Sequence, residues 1–85
     1  MSINHLEALD MARNDRWDEA HRLVQQYSDP LSCLIHAWLH RQEGDNWNAG
    51  YWYSRAGSEM PDNTLEEELQ RLYTLAQAAQ RRDDE

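Results

Sequence analysis

The sequence predicts an all-α fold of about five helices, arranged as two helix hairpins and one capping helix. Apolar residues recur at the three- and four-residue spacing of amphipathic helices along most of the chain. An Asp-x-Trp segment occurs twice, at Asp15 to Trp17 and at Asp45 to Trp47, with an offset of 30 residues (45 minus 15). Each copy lies where a turn should join two helices. We therefore expect hairpins at about 2–27 and 31–57 and a capping helix at about 64–81, all within one domain, 1–85.

The first predicted hairpin joins a helix that ends near Arg13 to a helix that begins near Trp17. Ser2 is the expected N-cap of the first helix, and Asn14 with Asp15 ends it. The apolar residues of the second helix form one stripe at helical spacing: Trp17, Ala20, Leu23, Val24 and Tyr27. This helix should end near Tyr27, because the residue before Pro30 is pushed out of the α region.

The second predicted hairpin contains the most apolar helix of the chain, from about Leu31 to Glu43. Apolar residues occupy more than one side of it, which is typical of a helix packed from several directions. We therefore expect it to be the central element. Gly44 suits the left-handed position that follows a helix end. The fourth helix, about 46–56, is dense in Trp and Tyr.

The last predicted helix begins with a capping box, in which Thr64 caps the helix and Glu67 reaches back to the Thr64 backbone. The three consecutive glutamates, 66–68, are interpreted as acids that complement the positive end of the helix dipole. The apolar residues of this helix form a narrow seam: Leu65, Leu69, Leu72, Ala76 and Ala79.

The composition excludes some classes of partner. The net charge is −8, and all eight basic residues are arginines. An acidic chain repels polyanions, so we expect no nucleic-acid partner and no binding to acidic membranes. Cys33 is the only cysteine, which precludes an intramolecular disulfide and favours a cytoplasmic protein. No apolar stretch approaches the roughly 20 residues that a membrane span needs.

Two segments resemble helical repeats. The segment from Asn14 to Ala20 is similar to the tetratricopeptide turn, in which a Gly-Asp-aromatic-Asp-Glu-Ala run opens the second helix. The segment from Tyr51 to Ala56 is similar to the aromatic-Trp-Tyr-x-Lys/Arg-Ala stretch of Sel1-like repeats. The stretch 35–57 also resembles one in small bacterial proteins that have no assigned activity. The repeat resemblance implies a scaffold that presents a surface to a partner. The resemblance to the small bacterial proteins supplies no mechanism.

Aromatic and arginine residues on the third and fourth helices form the main candidate site. A tight turn joins these helices, so several of the side chains should lie close together. Trp, Tyr and Arg are enriched in binding hot spots, although the same residues could form an aromatic core with arginine stems stacked on the rings. The candidate partner-binding residues are Trp38, Arg41, Tyr51, Trp52 and Arg55. The predicted function is a small non-enzymatic interaction module without a cofactor, which binds a protein or peptide partner or forms a homodimer.

A metal site is the alternative prediction. His36 and His40 are four residues apart on one helix, and Glu43 lies about one turn further on, so all three could share one side. His21 or Asp45 could supply another ligand. Polar positions satisfied by interhelical hydrogen bonds would explain the same residues without a metal. The chain shows no signature of a nucleophilic or acid-base catalyst.

Overall fold

A computed structural model describes residues 3–83, which form five α-helices and no strand. The helices are α1 (His5–Arg13), α2 (Trp17–Val24), α3 (Pro30–Gln42), α4 (Asn46–Arg55) and α5 (Leu65–Asp83). The predicted all-α class and the number of helices are confirmed. The predicted N-cap, Ser2, lies outside the described residues. Asn4 caps α1 instead, because its side-chain oxygen accepts a hydrogen bond from the Glu7 amide at 3.1 Å.

The ends of α1, α3 and α4 share one backbone conformation. The residue after the C-cap has a positive φ angle in each case: 60° at Asp15, 83° at Gly44 and 80° at Gly57. In each, the next amide bonds back to a carbonyl five residues earlier: Arg16 to Met11, Asp45 to His40, and Ser58 to Tyr53. This pairing satisfies carbonyls that a helix end would leave open. The left-handed position predicted for Gly44 is confirmed.

Comparison of the two turns corrects the predicted offset between the hairpins. Asp15 and Gly44 occupy the same place, and so do the N-cap residues Arg16 and Asp45, which gives an offset of 29 residues (44 minus 15) rather than 30. One residue rotates a helical position by about 100°. Trp17 and Trp47 are therefore not equivalent. Trp17 packs between the helices, whereas Trp47 is 81% exposed.

The connection between the two hairpins differs from the prediction, because α2 ends earlier than expected and hydrogen bonds to Asp29 organise the start of α3. α2 ends at Val24 rather than near Tyr27, and Pro30 opens α3 at its first position instead of only closing α2. Asp29 caps α3, accepting hydrogen bonds from the Ser32 amide and hydroxyl at 3.1 and 2.7 Å. His5 of α1 also contacts the Asp29 carboxylate at 2.8 Å, which ties α1 to this corner.

α3 is the central helix, as predicted, and packs against each of the other four helices. Its buried residues include Ile35, Trp38 and Leu39, which meet residues of α1, α2 and α5 in the main core. A second, smaller cluster joins α3 to α4 through Ala37, Ala49 and Tyr53. Burial on all sides explains why α3 carries apolar residues on more than one face.

α5 begins with the predicted capping box. The Thr64 amide donates to Glu67 Oε1 at 2.8 Å, and the Glu67 amide donates to Thr64 Oγ1 at 3.0 Å. The next glutamate, Glu68, has a role that the helix-dipole interpretation of residues 66–68 does not include, because its side chain is fully buried. The capping box fixes which face of the first turn points inward, and Glu68 lies on that face.

The buried Glu68 carboxylate is the centre of a hydrogen-bond network that links α4 to α5. It accepts bonds from the Tyr53 hydroxyl at 2.7 Å, from Asn63 at 3.0 Å, and from both Nε and Nη2 of Arg71 at 2.7 and 2.8 Å. Burial alone would raise the pKa of Glu68, but these donors outweigh it and lower the pKa to about 2. Burial and the neighbouring carboxylate raise the pKa of Tyr53 to about 12. Glu68 is therefore charged and Tyr53 is neutral near pH 7.

Candidate functional site

The outer side of α4 carries a stripe of large exposed side chains. Trp47, Tyr51 and Arg55 follow one another at four-residue spacing, so they lie on neighbouring turns of one face. Trp47 is 81% and Tyr51 48% exposed, and Arg55 is exposed as well. We call these three residues, together with Trp52 beside them, the α4 face. Its aromatic exposure is unusual, because large aromatics normally contribute to a core.

Contacts within the α4 face hold three of its side chains, those of Tyr51, Trp52 and Arg55, in a defined arrangement. The Arg55 guanidinium lies 5.1 Å from the centre of the Trp52 ring and 6.0 Å from that of Tyr51, within the range of cation–π interaction. Tyr51 meets Trp52 edge to face, with ring centres 5.2 Å apart. Trp52 is half-buried and stacks on His36 of α3 at 3.8 Å. The face is therefore anchored to the central helix through Trp52.

The charge of the α4 face differs from that of the rest of the chain. The helix contains one arginine and no acidic residue, although the whole chain carries a net charge of −8. Within residues 3–82, Arg55 forms no ion pair with a carboxylate. A carboxylate from another molecule could therefore reach this guanidinium without displacing an existing partner.

Trp38 and Arg41 do not belong to this surface, which corrects the predicted set of partner-binding residues. Trp38 is buried, with its indole N–H donating to the Leu65 carbonyl at 2.9 Å. Arg41 donates to the side chain and the backbone carbonyl of Asn63 at 2.9 and 2.6 Å. Both residues thus contact α5 or the loop before it, and Arg41 also donates to the Tyr53 hydroxyl on the inner side of α4 at 3.4 Å. They hold the capping helix in place, and the predicted site narrows to Tyr51, Trp52 and Arg55.

Three histidines form a cluster beneath the α4 face. One ligating atom from each of His21, His36 and His40 lies within 4.8 Å of those of the other two. His36 and His40 come from α3, as predicted, and α2 supplies His21. Glu43 is not a member of this group: it contacts His40 Nδ1 at 2.6 Å and lies with Asp45 in a separate group around His40. The alternative site of His36, His40 and Glu43 therefore becomes a three-histidine cluster, with Glu43 behind His40.

Electrostatics favour the neutral imidazole at two members of the cluster, His36 and His21. Burial, followed by repulsion from His21 and His40 and by the charge of Arg55, lowers the pKa of His36 to about 4. Burial and repulsion from His40 also lower the pKa of His21. His36 Nδ1 is buried and has no hydrogen-bond partner among the described residues. A buried, unpartnered polar atom costs about 1–3 kcal/mol, which makes this position unusual.

The cysteine offers no reactive group. Cys33 is buried, its Sγ lies 3.7 Å from the Ser28 carbonyl, and burial raises the pKa of the thiol. A raised pKa disfavours the thiolate, which is the nucleophilic form.

One residue of these sites, Trp47, does not follow from the sequence pattern, and another, His21, follows from it only as an optional ligand. The Asp-x-Trp pattern pairs Trp47 with Trp17, whereas the left-handed residues Asp15 and Gly44 give the correct register of the two turns. His21 lies one turn after Trp17, and its ring stacks on Trp17 with centres 4.7 Å apart. Only the packing of α2 on α3 brings it to His36.

Comparisons with protein-family models, with curated proteins and with solved structures find no match for this chain. Among the described residues, no helix combines the length and the apolar character needed to cross a membrane. The chemistry of the α4 face and of the histidine cluster is therefore the basis for assigning a function.

Proposed function

We propose that this chain is a small non-enzymatic interaction module that binds a peptide segment of another protein on the α4 face. The observation that carries the proposal is the exposure of Trp47 and Tyr51 next to an arginine with no carboxylate partner among the described residues. Exposed aromatic and arginine side chains in this arrangement are typical of hot spots. The tetratricopeptide-like or Sel1-like character of the hairpins agrees with this role as part of the same proposal.

The chemistry of the α4 face favours one kind of ligand segment. Trp47 and Tyr51 offer apolar surface, and the Arg55 guanidinium can bind a carboxylate through two parallel hydrogen bonds. We therefore expect a segment with an apolar side chain close to an Asp or Glu. Binding through a second copy of the chain is less favourable, because each copy carries a net charge of −8 and the two would repel. The same proposal places the module in the cytoplasm, in agreement with its single free cysteine.

Panning a random peptide library on the full chain tests this proposal. Enriched peptides should place an acidic residue near an apolar one, and the double variant Trp47→Ala/Arg55→Ala should bind them at least about 30-fold more weakly, as expected for a hot-spot loss of about 2 kcal/mol. The double variant Leu75→Ala/Arg81→Ala is the matched control, since it removes an exposed apolar residue and an arginine from α5.

Two results would contradict the proposal. One is equal binding of the enriched peptides to both double variants. The other is that light scattering shows a stable dimer of the wild-type chain and that the Trp47→Ala/Arg55→Ala variant is a monomer. The α4 face would then bind a second copy of the chain instead of a peptide. Circular dichroism of each variant checks that helicity is intact.

A further inference from the structure

We propose that His21, His36 and His40 bind one divalent transition-metal ion of the zinc class. Their imidazoles come from two helices, and one ligating atom of each lies within 4.8 Å of the others. Nitrogen ligands of a tetrahedral zinc ion are about 3.4 Å apart, given Zn–N bonds of about 2.0–2.1 Å. Small side-chain rotations would close the difference. His36 and His40 have the i, i+4 spacing that lets two histidines on one helix share an ion.

Neighbouring side chains hold the three rings close to these positions. Trp17 stacks on His21, with ring centres 4.7 Å apart, and Trp52 stacks on His36 at 3.8 Å. Glu43 Oε1 lies 2.6 Å from His40 Nδ1. If His40 donates its Nδ1 proton to this carboxylate, its Nε2 retains the lone pair that a metal requires. A carboxylate behind a ligating histidine is the usual means of orienting such a ring.

The burial of the cluster suits metal binding. His36 is buried and His21 and His40 are partly buried, so protein side chains surround the three rings. The buried Nδ1 of His36, which has no partner among the described residues, shows that hydrogen bonding alone does not satisfy this ring. If this position had only a structural role, an apolar side chain would make the folded state more stable.

The donor set selects the class of ion. Three neutral imidazoles favour Zn²⁺, Co²⁺, Ni²⁺ or Cu²⁺, whereas Mg²⁺ and Ca²⁺ require oxygen ligands. Three protein ligands leave a fourth position for water, as in open zinc sites. An ion here would join α2 of the first hairpin to α3 of the second and would thus stabilise the packing of the two hairpins.

Zinc titration of the full chain, without an affinity tag and after removal of metal with EDTA, tests this site. We expect 1:1 binding with a Kd below about 10 µM, and a rise in Tm of about 10 °C at a hundredfold excess of Zn²⁺ over Kd. Co²⁺ should give the visible absorption of a tetrahedral complex. His21→Gln should weaken binding by at least about 100-fold, and Glu43→Ala by about 10-fold through the orientation of His40.

His5→Gln is the matched control, because His5 contacts Asp29 on another part of the molecule and should leave the Kd unchanged. The Glu43 side chain is 41% exposed, so Glu43→Ala should leave the fold intact and remains informative even if a histidine variant unfolds. A wild-type Kd weaker than about 10 µM would overturn the proposal, as would equal losses of affinity in His5→Gln and His21→Gln. No peptide takes part in this titration, so its failure leaves peptide binding on the α4 face untouched.

Discussion

The buried Glu68 carboxylate offers the most direct test of how the capping helix is attached. Glu68→Ala removes the acceptor of the Tyr53 hydroxyl, which is itself fully buried, and of Asn63 and Arg71. An unsatisfied buried hydroxyl costs about 1–3 kcal/mol, and truncating a buried ionic partner costs up to about 3–5 kcal/mol. Because the Arg71 side chain is 42% exposed, it can recover hydration, which reduces the second term.

We therefore expect Glu68→Ala to lower the free energy of unfolding by about 3 kcal/mol, equivalent to a fall in Tm of about 15 °C for a domain of this size. Urea denaturation followed by circular dichroism and tryptophan fluorescence measures the change. Glu66→Ala is the matched control, since Glu66 lies two residues before Glu68, is exposed, and should change stability by no more than about 0.5 kcal/mol.

A double-mutant cycle tests the physical origin of the effect. If the cost arises from the stranded Tyr53 hydroxyl, then adding Tyr53→Phe to Glu68→Ala should cost less than the sum of the two single changes, by at least about 1 kcal/mol. Additive losses would refute the network as the cause. A loss in free energy of unfolding below about 1 kcal/mol for Glu68→Ala alone would also refute it, because removing a buried charge with these partners should cost more.

Three further predictions follow from single residues. The free energy of unfolding of the metal-free protein should fall by up to about 3 kcal/mol as the pH drops from about 6.5 to 4. In this range His36 takes up a proton in the unfolded chain, whereas in the folded chain its pKa is about 4. His36→Gln should therefore flatten the dependence of this free energy on pH, measured by urea titrations at several pH values. Asp15→Gly should raise stability by about 0.5–1 kcal/mol and Gly44→Ala should lower it by about 1 kcal/mol, because both positions have positive φ, and thermal melts should show shifts of opposite sign. Trp47→Ala should leave the Tm nearly unchanged, whereas Trp38→Ala should cost about 3–5 kcal/mol; similar losses for both would mean that Trp47 is buried in solution.

Signals that act over a few residues predicted much of the fold. The Thr64 capping box, the left-handed Gly44 and the central position of the third helix all appear as expected. Each depends on contacts within one turn or on the apolar pattern of one helix, which a sequence displays directly. The predicted end of the second helix, near Tyr27, is three residues too late, because α2 ends at Val24, well before the extended N-cap residue of α3, Asp29.

The candidate sites could be predicted only in part. The sequence indicated that aromatic and arginine residues of the second hairpin matter, and Tyr51, Trp52 and Arg55 do lie together. It could not separate them from Trp38 and Arg41, which have the same residue types but face α5. The residue type determines which interactions a side chain can form, whereas the packing of the helices determines which residues it contacts.

The amino-acid sequence alone established the helical class, the two hairpins, the capping helix and the acidic charge, because local propensity, capping and composition are properties of neighbouring residues. The packing of the helices established the rest. It set the 29-residue register that exposes Trp47, buried Glu68 among its donors, and brought His21 to His36 and His40. These outcomes depend on residues far apart in the chain, and a one-residue shift, or about 100° of rotation, is enough to reverse them.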